Sequence, residues 1–168
     1  LAFATDEKSG SLYIVDLEKY FSNINNRNNL VKLIARNSAI SMDAVSLYKD
    51  KSKDMLAYGD AAGALIVKSD VTSDLKENSN EERKYKTYGK IKYKFNDTAK
   101  LHVCKITQNY IAQGGSKDVV IRRTETGALL FKFKIIKPCY ALSICNNYLV
   151  YADSDIAGRD AFLSIRCL

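Results

Sequence analysis

One pattern returns four times along this chain and limits what it can fold into. An apolar run ends in small or acidic residues at 1–6 (LAFATD), 55–60 (MLAYGD), 110–115 (YIAQGG) and 148–153 (YLVYAD). A polar connection follows each run: EKSG, AAG, SKD and SDIAGRD. A second apolar run comes next: SLYIVDL, ALIVKS, VVIRR and AFLSIRCL. Two β-rich runs joined by a short connection containing Gly, Asp or Ser predict an antiparallel hairpin. Four hairpins in series demand a β architecture with a repeat, and repeats govern every later assignment.

The repeat extends beyond the hairpins. AISMDAVSLY, LHVCKI and YALSIC precede the second, third and fourth, while LVKLIAR, GKIKYKF and ALLFKFKI follow the first three. Each unit thus reads as four short strands. In 90–95 (KIKYKF) and 131–135 (FKFKI), lysine alternates with an apolar residue. Side chains on a strand point alternately to opposite faces, so this pattern predicts one apolar and one wet face. Four-stranded units in series are blades of a β-propeller. The expected fold is therefore all-β: a partial propeller of four-stranded antiparallel blades, about three and a half of them, forming one domain over residues 1–168. An all-β sandwich or small barrel of about a dozen strands remains the alternative. Closing a propeller ring takes at least about four blades. The remaining blades are expected outside this chain or from a partner, and a start at Leu1 rather than Met suits a processed or partial product.

The third and fourth units are spaced as in blades of roughly 40–45 residues. The first two are longer and carry insertions, at 20–29 (YFSNINNRNN) and 71–88 (VTSDLKENSNEERKYKTY). Both are rich in polar residues and lack strand periodicity, so they are expected to be loops.

The third unit, NYIAQGGSKDVVIRRTETGALLFKF, looks like a WD-repeat blade. Ile121-Arg122-Arg123 stands where that family has an apolar residue followed by Trp-Asp, and Glu125-Thr126-Gly127 fits its turn before the fourth strand. The first unit, with Leu12-Tyr13-Ile14-Val15-Asp16, is similar. The chain departs from the family in having no tryptophan and no Gly-His dipeptide. The resemblance implies a rigid propeller that offers loop-bearing faces to other proteins.

The chemistry-bearing residues point away from catalysis. His102 is the single histidine. Strand alternation places it on one side with Cys104 and Ile106, and two such neighbours do not supply nucleophile, base, orienter and oxyanion donors. Cys104, Cys139, Cys145 and Cys167 contain no C-x-x-C pair of the kind that opens a zinc site. Their apolar contexts predict buried free thiols in a reducing compartment. Gly114-Gly115-Ser116-Lys117 lacks phosphate-loop spacing and belongs to a hairpin turn. Asp153, Asp155 and Asp160 lack a calcium loop's spacing and closing glutamate. No catalytic residue, cofactor or metal is expected. No apolar run approaches the roughly 18 residues that cross a bilayer. These features together predict a cytoplasmic or nuclear location.

The formal net charge is +7, which favours acidic partners. A basic tract holds Arg83, Lys84, Lys86, Lys90, Lys92 and Lys94, with Tyr85, Tyr88, Tyr93 and Phe95 interleaved. Cations beside aromatics suit single-stranded nucleic acid. Lysines on an outermost strand also prevent edge-to-edge pairing of sheets. Alternation predicts that Lys90, Lys92 and Lys94 share one exposed face while Ile91, Tyr93 and Phe95 pack inward. Arg122 and Arg123 are adjacent on a strand, so at most one can join this patch. Two functions follow as expectations. The first is a non-catalytic protein-interaction scaffold within a larger complex, with the insertions as contacts. The second is an RNA-contacting, non-catalytic subunit of a ribonucleoprotein or RNA-processing assembly.

Overall fold

The computed structural model describes residues 2–5, 11–15, 17–22, 31–35, 45–50, 53–59, 63–71, 89–97, 100–154 and 161–168. These residues form fourteen strands and one short helix. Sheet I holds β1 (Ala2–Thr5), β2 (Ser11–Val15) and β3 (Val31–Ala35). Helix α1 (Leu17–Ser22) follows β2. Sheet II holds β4 (Val45–Lys49), β5 (Asp54–Gly59), β6 (Leu65–Ser69) and β7 (Lys90–Phe95). Sheet III holds β8 (Leu101–Ile106), β9 (Tyr110–Gly115), β10 (Asp118–Arg123) and β11 (Leu129–Lys134). Sheet IV holds β12 (Cys139–Cys145), β13 (Tyr148–Asp153) and β14 (Phe162–Cys167).

Within each sheet the strands lie side by side in chain order, and each consecutive pair is antiparallel. The expected hairpin of the third unit forms in register, from Val119 opposite Gly114 to Arg123 opposite Tyr110. This is an all-β arrangement of three- and four-stranded antiparallel sheets in series, consistent with part of a propeller. The segment expected to be a loop at 20–29 begins differently, because its first three residues, Tyr20, Phe21 and Ser22, belong to α1. Residues 23–29 and 72–88 lie outside the described residues.

The sheets stack face to face, and the repeat explains why. Each hairpin carries apolar residues on both faces, so sheets II and III each bury one face against the preceding sheet and the other against the following one. Leu12, Ile14 and Ile34 of sheet I meet Leu56, Tyr58 and Ile66 of sheet II. Ala57, Leu65 and Val67 of sheet II meet Leu101, Cys104, Ile106 and Ile111 of sheet III. Ala112, Val119 and Ile121 of sheet III meet Cys139, Ile144, Leu149 and Tyr151 of sheet IV. Each fully buried Leu or Ile contributes about 1.5–3 kcal/mol relative to exposure. Gly114 permits the third of these approaches: a Cβ there would lie 2.6 Å from the Cys139 sulfur. Gly114 is thus a packing device near the end of β9.

Bulges repeat along with the strands. The pairing of β8 with β9 slips between Leu101 and Val103, and that of β12 with β13 slips between Cys139 and Ala141. The extra residues are His102 and Tyr140, whose rings meet at 4.7 Å across sheets III and IV. His102 also places Nε2 3.0 Å from the Ser116 hydroxyl. This corrects the expectation that His102 shares a side with Cys104 and Ile106. A bulge resets alternation, so Cys104 and Ile106 are buried while His102 is half-exposed at the sheet end.

Two of the four thiols also differ from expectation. Cys104 and Cys139 are buried, but Cys145 and Cys167 are exposed, and all four are free. Cys145 and Cys167 flank Tyr148 in one row of sheet IV. That row belongs to a face that no other described sheet covers.

Candidate interaction face

One cation position recurs on sheets II, III and IV, and it decides which charges are available to a partner. Lys68, Arg122 and Arg166 hold equivalent places on the third strands, opposite Leu56, Ile111 and Leu149. Each reaches the last strand of the preceding sheet. Lys68 Nζ donates to the Ile34 carbonyl at 2.6 Å. Arg122 lies 4.2 Å over the Phe95 ring, and Arg166 lies 4.8 Å over Phe133. Arg122 further donates to Asp97 from Nη2 at 2.8 Å and to the Gly127 carbonyl from Nη1 at 2.9 Å. Burial lowers the Lys68 pKa, because a charged ammonium loses hydration there. These cations brace neighbouring sheets: Lys68 is buried and Arg122 half-buried, whereas Arg166 keeps an exposed side chain.

Of the basic tract, Arg83, Lys84 and Lys86 lie outside the described residues. Lys90, Lys92 and Lys94 are exposed on β7, the outer strand of sheet II. The single-face expectation fails. The register with β6 slips between Val67 and Lys68, so Tyr93 pairs with Val67 but Ile91 pairs with Lys68. Lys92 is the extra residue. Ile91 is carried to the other face and is 63% exposed, while Tyr93 and Phe95 pack on the core between sheets II and III. Lys94 opposes Ile66 and Lys90 opposes Ser69, which places these two lysines on opposite faces. Three cations are displayed, but not as one row.

The charges converge elsewhere. A cleft of about 480 Å³ opens between sheets II and III, at the end where first strands turn into second and third strands lead to fourth. Sheet II contributes Tyr48, Asp50, Lys53, Met55 and Lys92; sheet III contributes the turn at Gln108 and Asn109, with Tyr110, Arg123, Thr124 and Glu125. The wall from sheet III is cross-tied. Thr107 and Tyr110 exchange hydrogen bonds, Thr124 donates its amide to Asn109 at 3.0 Å, and its hydroxyl donates to the Thr107 carbonyl at 3.1 Å. The Tyr93 hydroxyl donates to the Glu125 carbonyl, closing the outer end. Desolvation, then the charge of Asp50 and a hydrogen bond to it, raise the Tyr48 pKa, so that phenol stays protonated. Arg122 and Arg123 divide as alternation requires: Arg122 braces the sheets, and Arg123 is exposed at the cleft. The cleft was not visible in the sequence, because its walls come from β4 and β5, from Lys92, and from the ends of β8, β9 and β10, which only sheet stacking brings together.

The cysteines offer no nucleophile in this region. Burial pushes the Cys104 thiol up to about 12, and burial with the nearby Asp153 charge does the same for Cys139. No helix of the described residues is long and apolar enough to cross a membrane.

No protein-family model matches the chain, and no curated protein matches it. Solved structures do. The crystal structure of Saccharomyces cerevisiae Sqt1 superposes with a TM-score of 0.58 at 10% identity, over 99% of this chain and 40% of that one. The computationally designed Ika8 protein gives 0.51 at 14% identity, over 96% of this chain and 47% of that one. The chain therefore spans less than half the length of either. At such identities the likeness concerns fold alone.

Proposed function

We propose that this chain is about three and a half blades of a WD-repeat-like propeller, and that it serves as a non-catalytic protein-interaction scaffold in a larger complex. The observation that carries this reading is the cleft-bearing end of sheets II and III. Rigid strands present there a cleft with five charged side chains, and β6 ends and β7 begins at the same end, with the insertion at 71–88 between them in sequence. Binding groups concentrate on connections held by a rigid scaffold. Residues 20–29 likewise fall in sequence between the last two strands of sheet I, β2 and β3. Fold likeness at low identity supports architecture, and function is argued from the site.

A second reading is contact with RNA in a ribonucleoprotein or RNA-processing assembly. The exposure of Lys90, Lys92 and Lys94 favours it. The bulge that divides these lysines between faces weakens it, since a strand of phosphates needs cations along one track. A tagged protein recovered from its source cells with and without nuclease separates the two. The scaffold reading expects the same defined partners after nuclease, lost when residues 73–86 are replaced by a short Gly-Ser connection. Partners that disappear with nuclease alone would replace it by the RNA reading.

A further inference from the structure

We infer that the cleft between sheets II and III binds an acidic peptide segment in extended conformation. This deepens the scaffold reading and rests on it. Three of the charged groups at the cleft are cations, Lys53, Lys92 and Arg123, and all are exposed. They come from different elements: Lys53 from the turn before β5, Lys92 from the bulge of β7, and Arg123 from the end of β10. Two carboxylates oppose them, Asp50 and Glu125. The Tyr48 hydroxyl is hydrogen-bonded to Asp50, which engages one of the two. The cation excess at the cleft has the sign of the whole chain, +7.

Shape selects the ligand within this charge preference. The cleft follows the seam between two sheets, from Tyr48 and Gln108 at the inner strands to Lys92 and Glu125 at the outer ones. A seam takes an extended chain more readily than a compact solute. Tyr48 and Tyr110 provide apolar faces with polar tips along it, and Met55 forms a buried floor. The cross-tied turn at Thr107–Tyr110 and the Tyr93–Glu125 bridge hold the walls before any ligand arrives, which lowers the entropic cost of binding. Carboxylates of the peptide would accept charge-assisted hydrogen bonds from Lys53, Lys92 and Arg123. The bulge matters here, since it turns Lys92 away from simple strand alternation and leaves its ammonium 5.1 Å over the Tyr93 ring at the cleft's outer end.

The test uses the intact protein and two labelled probes in fluorescence anisotropy at low and moderate salt. One probe is an eight-residue glutamate peptide, and the other is a single-stranded RNA oligonucleotide of equal charge. The double variant Lys53→Gln/Arg123→Gln is compared with a charge-matched variant, Lys117→Gln/Lys134→Gln, whose two exposed lysines lie away from the cleft. The expected result is peptide binding that weakens roughly two- to fivefold for each cleft cation removed, with the control variant within about twofold of the parent protein. Equal losses in both variants would overturn the inference in favour of diffuse charge attraction. No peptide binding at low salt, with nuclease-resistant partners still recovered, would overturn the inference and leave the scaffold reading standing. Tighter binding of the RNA probe would overturn both.

Discussion

Adjacent arginines in one strand carry opposite duties, and single substitutions should separate them. Arg122 joins Asp97, the Gly127 carbonyl and the Phe95 ring, so it spans from β10 to the fourth strand of sheet II. Arg122→Leu should destabilise the protein by about 1–3 kcal/mol, through loss of a part-buried charge-assisted pair and a cation–π contact. Arg123→Leu should stay within about 0.5 kcal/mol, as exposed substitutions do. Urea unfolding midpoints of the two variants check this, and equal effects would contradict it. Gly127 gives a third case. Its φ is +71, and a Cβ there would sit 2.9 Å from the Tyr93 ring, so Gly127→Ala should cost about 1–3 kcal/mol. The thiols give a fourth. Alkylation of the native protein at pH 9 should modify Cys145 and Cys167 readily, since they are exposed. Cys104 and Cys139, buried and held protonated to about 12, should react only on unfolding. Mass spectrometry of the labelled peptides would show it. The split between Arg122 and Arg123 was legible from period-two alternation. The partners of Arg122 were not, because Asp97 and Phe95 belong to the preceding sheet and only sheet stacking brings them to it.

At the scale of elements, the strands were legible and their bulges were not. Hydrophobic alternation and turn residues marked the runs that became β4 to β14, and β9 with β10 paired in the expected register. A bulge depends on how two backbones align, so it leaves no mark in the alternation of one strand. Two expectations failed for that reason. Ile91 turned outward beside its lysines, and His102 left the row of Cys104 and Ile106. The helix α1 was missed because six residues are too few for a 3.6-residue period to stand out against a polar surrounding. The bulge also shapes a prediction for β7. Replacing Lys90, Lys92 and Lys94 together with glutamine should change stability by less than about 0.5 kcal/mol, since all three are exposed. A loss much beyond that in thermal or urea unfolding would mean that these lysines pack against residues of the neighbouring sheets.

At the scale of the molecule, sheet IV holds the feature that most needs a partner. Three sheets each present a face to a successor, and the core between sheets III and IV shows how that face is covered. The corresponding face of sheet IV carries Ala141, Ser143, Val150, Ala152, Leu163 and Ile165 without a single charge. Leu163 is 71% exposed and Ile165 is 66% exposed among the described residues. A contiguous apolar sheet face of this kind drives association. The 168-residue chain expressed alone should therefore self-associate, and sedimentation velocity would detect it. A monodisperse monomer that unfolds cooperatively would count against this account.

The most direct test of the account is a high-resolution structure of the intact polypeptide purified from its source cells. A WD-repeat-like propeller predicts another four-stranded antiparallel sheet on the face formed by β12, β13 and β14, with Leu163 and Ile165 buried beneath it as Val119 and Ile121 are buried beneath sheet IV. It further predicts that the cleft between sheets II and III stays open to solvent or holds a bound chain. A helix capping that face, or Leu163 and Ile165 left in water beside a completed fold, would contradict it.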